Sequence, residues 1–359
     1  MSNTYLITLT PTGKFFFGGD MTFTVNGKET EYTSYIIRSN KFPQQTSLLG
    51  MLRFLILRNE KEVFDASTQS IKDRTSAASL IGPKSFKNSN KEGDYGKIKK
   101  LHHCFLQVCK DSQWANMQVV NPKADLQVTF DKPCSAIING ELVEVPQMSY
   151  EAKYFYETEY ICSCCSRPTK ESDIFIEDVC NGINRDIHTG KTDDNALFKQ
   201  ISYRFNNKDC QYRFALYAEM DLTEEEVKKY NGQLVSVGGD NSQFVIGIKQ
   251  KDAPKAEETK GTKVVLESPA YLTKEDLENL RFAITDTIPF KCMKTETKDV
   301  KSYNKRNQNQ MYGYSESLSL YDKGSVFYFR DENEANVFTE KLKGHADFYQ
   351  IGYNHYQVK

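Results

Sequence analysis

The order strand-helix-strand-strand-helix-strand occurs twice in this chain of 359 residues, and the repetition predicts an α+β protein of two ferredoxin-like (RRM-like) domains, the first carrying a large insertion. Three observations support this. Period-2 strands recur on both sides of amphipathic helices, and capping boxes open helices at comparable places in the two halves. A charged stretch with Pro and Gly and no apolar period, KQKDAPKAEETKGTK (249–263), divides the chain. The expected domains are 1–252, interrupted at about 60–197, and 253–359.

In the first half, TYLITLTPT is a strand with Tyr5, Ile7 and Leu9 on one face. Thr46 or Ser47 is the expected cap of a helix carrying Leu48, Leu49, Leu52, Leu55 and Ile56. The insertion follows, with a hairpin around INGEL (138–142) between LQVTF and VEVP. FALYAEMDL then alternates, with Phe214, Leu216, Ala218 and Met220 facing one way. TEEE (223–226) is a capping box for a helix with Val227 and Tyr230 inward and Gly232 as its stop, and QFVIGIK closes the unit with Phe244, Ile246 and Ile248.

In the second half, TKVVLESPAYL is a strand. Thr273 with Asp276 opens a helix whose period runs through Leu277, Leu280 and Ile284. Extended stretches are expected around 298–303 and at GSVFYFR (324–330). Asp331 with Glu334 starts a helix with Ala335, Phe338 and Leu342 on its apolar face, Gly344 ends it, and FYQIGYNHYQV is read as a last strand.

Composition bounds the function. At 39% hydrophobic and 12% aromatic residues the chain is globular rather than disordered. A formal net charge of −1 gives no global attraction to nucleic acid or membrane, although 47 Lys and Arg leave room for a local basic groove. The longest apolar run, SLLGMLRFLIL, is short and contains Arg53, so no membrane span is expected. MSNTYLITLTPTGK lacks the pattern of a signal peptide. The nine cysteines, an odd number, are read as reduced thiols of a cytoplasmic protein.

Several segments have the chemistry to hold a polyanion. In GKFFFGGD (13–20), Gly18 and Gly19 allow the backbone beside Lys14 to approach a phosphate or base, or else form a tight turn with the phenylalanines in the core. In QQTSLLGMLR, Thr46 and Ser47 at a helix N-terminus can cap the helix or bind a phosphate, with Arg53 on the polar side and Arg38, Asn40 and Lys41 just upstream. NGINRDIHTGK (181–191) supplies Asn184, Arg185, His188 and Lys191 in a loop suited to an RNA backbone, or to solvent. Cys162, Cys164 and Cys165, with Cys180, are either zinc ligands or ordinary thiols. The C-x-C-C spacing departs from the paired C-x₂-C of structural zinc sites, and no cofactor is expected. The five histidines occupy no recognisable catalytic context, and Walker, G-x-S-x-G and H-E-x-x-H patterns are absent from the sequence.

Six segments in register, LTPTGKFFFGGD, FPQQTSLLGMLR, ASLIGPKSF, NGINRDIHTGKTDDNALFKQISYRF, VSVGGDNSQF and DKGSVFYF, resemble the RAMP family of the third subunit of the Cmr complex, the type III-B CRISPR effector. The resemblance runs from residue 4 to about residue 352. It departs from the family at Gln44 and Gln45, where prolines are usual, and in the Cys-rich stretch at 162–180. It implies a non-catalytic RNA-binding subunit in antiviral defence that anchors the 5′ tag of the crRNA. The implied partners are a Cas10-type large subunit and a RAMP backbone subunit, with target RNA nearby. Lys14, Gly18, Gly19, Arg38, Asn40, Lys41, Thr46, Ser47, Arg53, Asn184, Arg185, His188 and Lys191 become the RNA-facing candidates. Related RAMP folds include endoribonucleases that process crRNA, so metal-independent cleavage is the alternative activity, and a protein-only assembly subunit is a third reading.

Overall fold

The computed structural model describes residues 2–19, 21–25, 32–120, 124, 126, 128–138, 141–148, 157–163, 167–185, 189, 192–254, 260–278, 280–294, 313–314 and 317–359. The chain runs through β1 (Asn3–Pro11), β2 (Met21–Val25), β3 (Tyr32–Arg38) and α1 (Gln45–Arg58). A small hairpin, β4 (Phe64–Asp65) and β5 (Ser70–Ile71), and α2 (Arg74–Ile81) lead to β6 (Ile98–Leu101), β7 (Phe105–Lys110) and β8 (Gln113–Val120). The hairpin β9 (Val128–Ile138) and β10 (Glu141–Met148) follows, as read from INGEL, then β11 (Glu159–Cys162), β12 (Thr169–Lys170) and the one-turn α3 (Glu171–Ile174). Two long strands, β13 (Phe175–Arg185) and β14 (Thr192–Phe205), precede β15 (Gln211–Met220), α4 (Glu224–Tyr230), β16 (Leu234–Ser236) and β17 (Gln243–Gln250).

The C-terminal part comprises β18 (Lys263–Leu266), α5 (Lys274–Leu277), β19 (Phe282–Ile284) and β20 (Thr287–Phe290), then β21 (Met293–Lys294), β22 (Gly313–Tyr314), β23 (Leu318–Tyr321) and β24 (Val326–Tyr328). It ends in α6 (Glu332–Gly344), α7 (Ala346–Gln350) and β25 (Tyr356–Val358).

The result is an α+β fold with mostly antiparallel sheets. In the main sheet the order β7-β15-β1-β17 places β1 at the centre, antiparallel to both β15 and β17. The alternation of β1 is real but both of its faces are covered: Tyr5, Ile7 and Leu9 are buried in the large core, and Leu6 and Thr8 are buried as well. A second sheet, β13-β14-β3-β2, contains the parallel pair β14–β3. The C-terminal sheet has the order β19-β24-β18-β25.

Several expectations change. The stretch expected as an insertion, about 60–197, supplies β6 and β7, both paired with β15 in the main sheet. Lys97 before β6, Lys99 and Lys100 within it and Lys110 at the end of β7 dilute the apolar pattern of Leu101, Leu106 and Val108. The helix opened by Thr273 keeps its capping box but lasts one turn, and Ile284 lies in β19. FYQ is helical, in α7, so the last strand begins only at Tyr356. The stretch expected to be extended around 298–303 lies outside the described residues. The core also crosses the charged linker: Phe290, Leu320, Phe348, Ile351 and Tyr353 share a cluster with α1 and the main sheet, while Val264, Leu266, Phe327, Phe338 and Leu342 form a smaller C-terminal cluster.

Candidate nucleic-acid interface

The Phe-rich loop is fastened from three sides. Phe15 exchanges backbone hydrogen bonds with Tyr203 of β14 (2.8 and 3.0 Å). The Phe16 amide donates to Ser242 Oγ (2.8 Å), and the Gly239 amide donates to the Phe16 carbonyl (2.8 Å). The Phe17 amide donates to Ser39 Oγ (2.8 Å), and the Asn40 amide to the Gly18 carbonyl (2.6 Å). VSVGGD, which follows the short strand β16, is therefore the seat of FFFGG within the same chain.

Three expected cations lie in or near this loop, and each meets a carboxylate. Lys14 bonds Asp178 (2.9 Å), Arg38 pairs with Glu177 and reaches the Tyr203 hydroxyl (3.4 Å), and Lys41 bonds Glu171 (2.6 Å). Lys14 and Arg38 side chains are about half exposed, at 51% and 55%. The hydrogen bond from Lys14 to Asp178 raises the Lys14 pKa, and the Tyr203 contact, ahead of the Glu177 pair, raises that of Arg38. Both remain cationic at any physiological pH. The partners Glu171, Glu177 and Asp178 were not read from the sequence: each lies more than a hundred residues from its cation, in α3 or β13.

α1 differs from expectation at its start. Its N-cap is Gln44, without a side-chain cap, and neither Thr46 nor Ser47 caps it, because the helix already begins at Gln45. Gln45 is buried, and its Nε2 donates to the carbonyls of His102 (3.0 Å) and Gly352 (2.8 Å), holding the C-terminal segment to the β6–β7 turn. The Gln pair that breaks the family's proline pattern is thus a junction contact. Thr46 is half-buried and Ser47 exposed. Arg53 is turned toward α2. Its Nε donates to the Ile81 carbonyl (2.6 Å) and its guanidinium to the Gly82 carbonyl (3.2 Å), closing the C-terminal end of α2, and burial lowers its pKa.

Asn184 and Arg185 lie at the far end of the β13–β14 hairpin, where Arg185 is in register with Thr192; His188 and Lys191 lie outside the described residues. Cys162 is buried on β11 and Cys180 is exposed on β13, in different sheets; Cys164 and Cys165 lie outside the described residues. Among the described residues no group of three His, Cys, Asp or Glu side chains could hold a metal ion, and no helix is long and apolar enough to cross a membrane.

The described histidines pack against one another or bond neighbouring side chains. His103 and His355 face each other through their Nδ1 atoms (3.4 Å), and burial pushes His103 down to about 3 and His355 far below its ordinary value. Burial lowers His102 too. His345 is buried between Asp276 (2.8 Å) and Asn90 (3.1 Å). His103 and His355, which face each other rather than the cation-bearing loop, are poorly placed to take a proton from an RNA 2′-hydroxyl bound there.

Beside Arg38 and Lys41 a cavity of about 390 Å³ opens between the two halves. Its wall carries Lys323, Glu267 and Asp322, which sequence reading did not single out because they are spread over the β18 exit and the turn before β24. Burial raises Glu267 to about 7, partly offset by the amide of Gln357 (2.6 Å), and raises Asp322 to about 6. Glu267 thus keeps its proton in the fold up to about pH 7 but loses it near pH 4.5 when unfolded, so stability falls as pH rises through that window. Glu267→Gln, whose side-chain oxygen can still accept from Gln357, should gain on the parent as pH goes from 5 to 8, by on the order of 2 kcal/mol. Thermal melts at both pH values check this, and a pH-independent difference would overturn it.

Comparison with known proteins gives one family. A family model described as CRISPR-associated protein (Cas_Cmr3) matches residues 159–358. A chain from a structure described as the cryo-EM structure of the Type III-B Cmr-beta bound to cognate target RNA aligns at 14% identity, covering 99% of this chain and 96% of that one, with a TM-score of 0.49. A chain from a second, described as also bound to AMPPnP (state 1), aligns at 14% identity over 98% and 95%, with a TM-score of 0.48. No curated protein matches.

Proposed function

This chain belongs to the Cmr3 family of CRISPR-associated proteins, and from that premise we propose that it is a non-catalytic, RNA-binding scaffold subunit of a type III-B effector complex. It anchors the 5′ tag of the crRNA and bridges a Cas10-type large subunit to the RAMP backbone subunits. Each half is read as a ferredoxin-like (RRM-like) unit. The strand orders β7-β15-β1-β17 and β19-β24-β18-β25 support this, since each sets the first strand of its unit between the third and the fourth. The observation that carries the RNA reading is that Arg38 and Lys41 line the cavity at the uncapped N-terminus of α1, with Lys14 half exposed on the Phe-rich loop. Cations and free helix amides together are the usual means of gripping a phosphodiester track without reading its sequence.

The carboxylates paired with Lys14, Arg38 and Lys41 set the strength of the grip. Phosphates must displace Asp178, Glu177 and Glu171, so binding is weaker than three free cations would give. Replacing Lys14, Arg38 and Lys41 with alanine should weaken binding of tag-bearing RNA and lower the salt slope by about 2, at roughly 0.7 per cation on a single strand. Glu177→Gln with Asp178→Asn should act in the opposite sense and tighten binding several-fold at low salt. Filter binding across a salt series measures both. Unchanged affinity and slope in the triple variant would remove these three cations from the interface. Cleavage of repeat RNA by the purified protein, abolished by His188→Ala, would overturn the non-catalytic reading.

A further inference from the structure

We infer that the groove between α6 and the chain leaving α5 is a docking site for a short segment of a partner protein, one that presents a bulky aliphatic side chain flanked by Lys or Arg. The groove has a volume of about 570 Å³ and lies in the C-terminal part, with none of Lys14, Arg38 or Lys41 in its lining. One wall is α6, where Glu334, Val337 and Lys341 fall at i, i+3 and i+7 and so form one stripe. The facing wall carries Asp276, Glu278, Leu280 and Arg281.

The floor of the groove is apolar. Phe329 and Phe338 are buried with their rings 5.1 Å apart, and Leu280 packs against the same C-terminal cluster. Val337 is 57% exposed, and the apolar face of α6 is complete without it, since Ala335, Phe338 and Leu342 fill that cluster. Helix formation does not account for it either, because a β-branched residue is a poorer helix former than the Lys, Glu or Ala that suit an exposed position. An aliphatic side chain from a partner, seated in the groove, covers Val337 and removes its apolar surface from water.

The rim selects the flanking charge. Four carboxylates line the groove, on Asp276, Glu278, Asp331 and Glu334, against the two cations of Arg281 and Lys341. Lys341 is spent within the fold: its ammonium donates to the carbonyls of Glu275 (3.1 Å) and Asp276 (3.0 Å) in α5. Asp276 is engaged by His345 (2.8 Å). Asp331 and Glu334 accept backbone amides at the start of α6 and keep their charge, and Glu278 is exposed. Glu278, Asp331 and Glu334 are then opposed by Arg281 alone, a field that repels a phosphate backbone and favours a basic peptide. The stretch of α6 from Asp331 to Lys341 rises about 15 Å, room for about four or five residues of extended chain.

The test uses the full chain and three short fluorescein-labelled peptides, read by anisotropy. The first has a central leucine pair flanked by lysines, the second has glutamate for each lysine, and the third has serine for each leucine. The first should bind about tenfold or more tightly than either of the others. Val337→Lys, which keeps a good helix former at an exposed position, should melt with the parent and lose about tenfold in affinity for the first peptide. Glu278→Lys with Glu334→Gln, whose amide oxygen still accepts from Arg330, should erase the preference for the basic peptide over the acidic one. No binding of the first peptide, equal binding of all three, or equal binding by parent and Val337→Lys would overturn the site. Two further results would overturn the occupant: self-association in sedimentation that Val337→Lys abolishes, which gives the groove to a second copy, and weaker binding of tag-bearing RNA by Val337→Lys, which gives it to RNA. The scaffold reading is independent of these outcomes, because it is tested on Lys14, Arg38 and Lys41.

Discussion

Phe15→Ala should cost about 3–5 kcal/mol, a large part of the stability of an ordinary domain. Phe15 is 1% exposed, and its ring lies 5.0 Å from that of Phe17 and 5.3 Å from those of Phe205 and Phe214. Truncation leaves a cavity lined by aromatic rings, which cannot close without moving β14 and β15. The loss is also functional, because the backbone of Phe15 fixes the loop to Tyr203, and the same loop carries Lys14 toward Asp178. Phe16 is the control. It is half-buried, its ring rests on Gly239, and Phe16→Ala should cost about 1 kcal/mol. Denaturant unfolding of the two variants measures the difference. Equal costs would mean that the triple phenylalanine is not anchored as the geometry indicates.

The parts of this fold that were legible in the sequence are those fixed by local rules. Thr223 with Glu226, Thr273 with Asp276, and Asp331 before Glu334 act within one helical turn, and each opens a helix as expected. The apolar periods of β1, β15, β17 and α1 are strong enough to survive any tertiary context. What escaped depends on long-range pairing. β7 belongs beside β15, but no property of FLQVCK says so until Val108 and Leu106 are placed against Tyr212 and Phe214. Likewise Arg53 reads as a polar-face residue from its period alone, and only the packing of α2 turns it into a cap for the Ile81 and Gly82 carbonyls. The candidate interface follows the same division. Lys14, Arg38 and Lys41 were visible as charges, whereas the acids that restrain them and the junction cavity with Lys323 arise from segments brought together by the fold.

The two glycines of FFFGGD should respond very differently to the same substitution, and the difference separates packing from ligand approach. Gly18 has φ +75° with open space around its Cα, so Gly18→Ala should cost about 1–2 kcal/mol for the left-handed backbone alone. Gly19 has no such φ, but a Cβ there would collide with the carbonyl oxygen of Arg38. That oxygen belongs to backbone at the end of β3, and the amide of Asn40 two residues on is already tied to the Gly18 carbonyl, so neither side has slack. Gly19→Ala should therefore cost about 3 kcal/mol or more. It should also displace Arg38 and the Ser39 hydroxyl that holds the Phe17 amide, weakening tag-RNA binding at temperatures where the protein is still folded. If Gly19 served instead to admit an RNA backbone, Gly19→Ala would leave the melting temperature unchanged and lower affinity alone. Melting curves and RNA titrations on the same preparations distinguish the two, and the close approach of Gly19 to Arg38 favours the first. The second glycine then acts on RNA only indirectly, by setting where the Arg38 guanidinium stands.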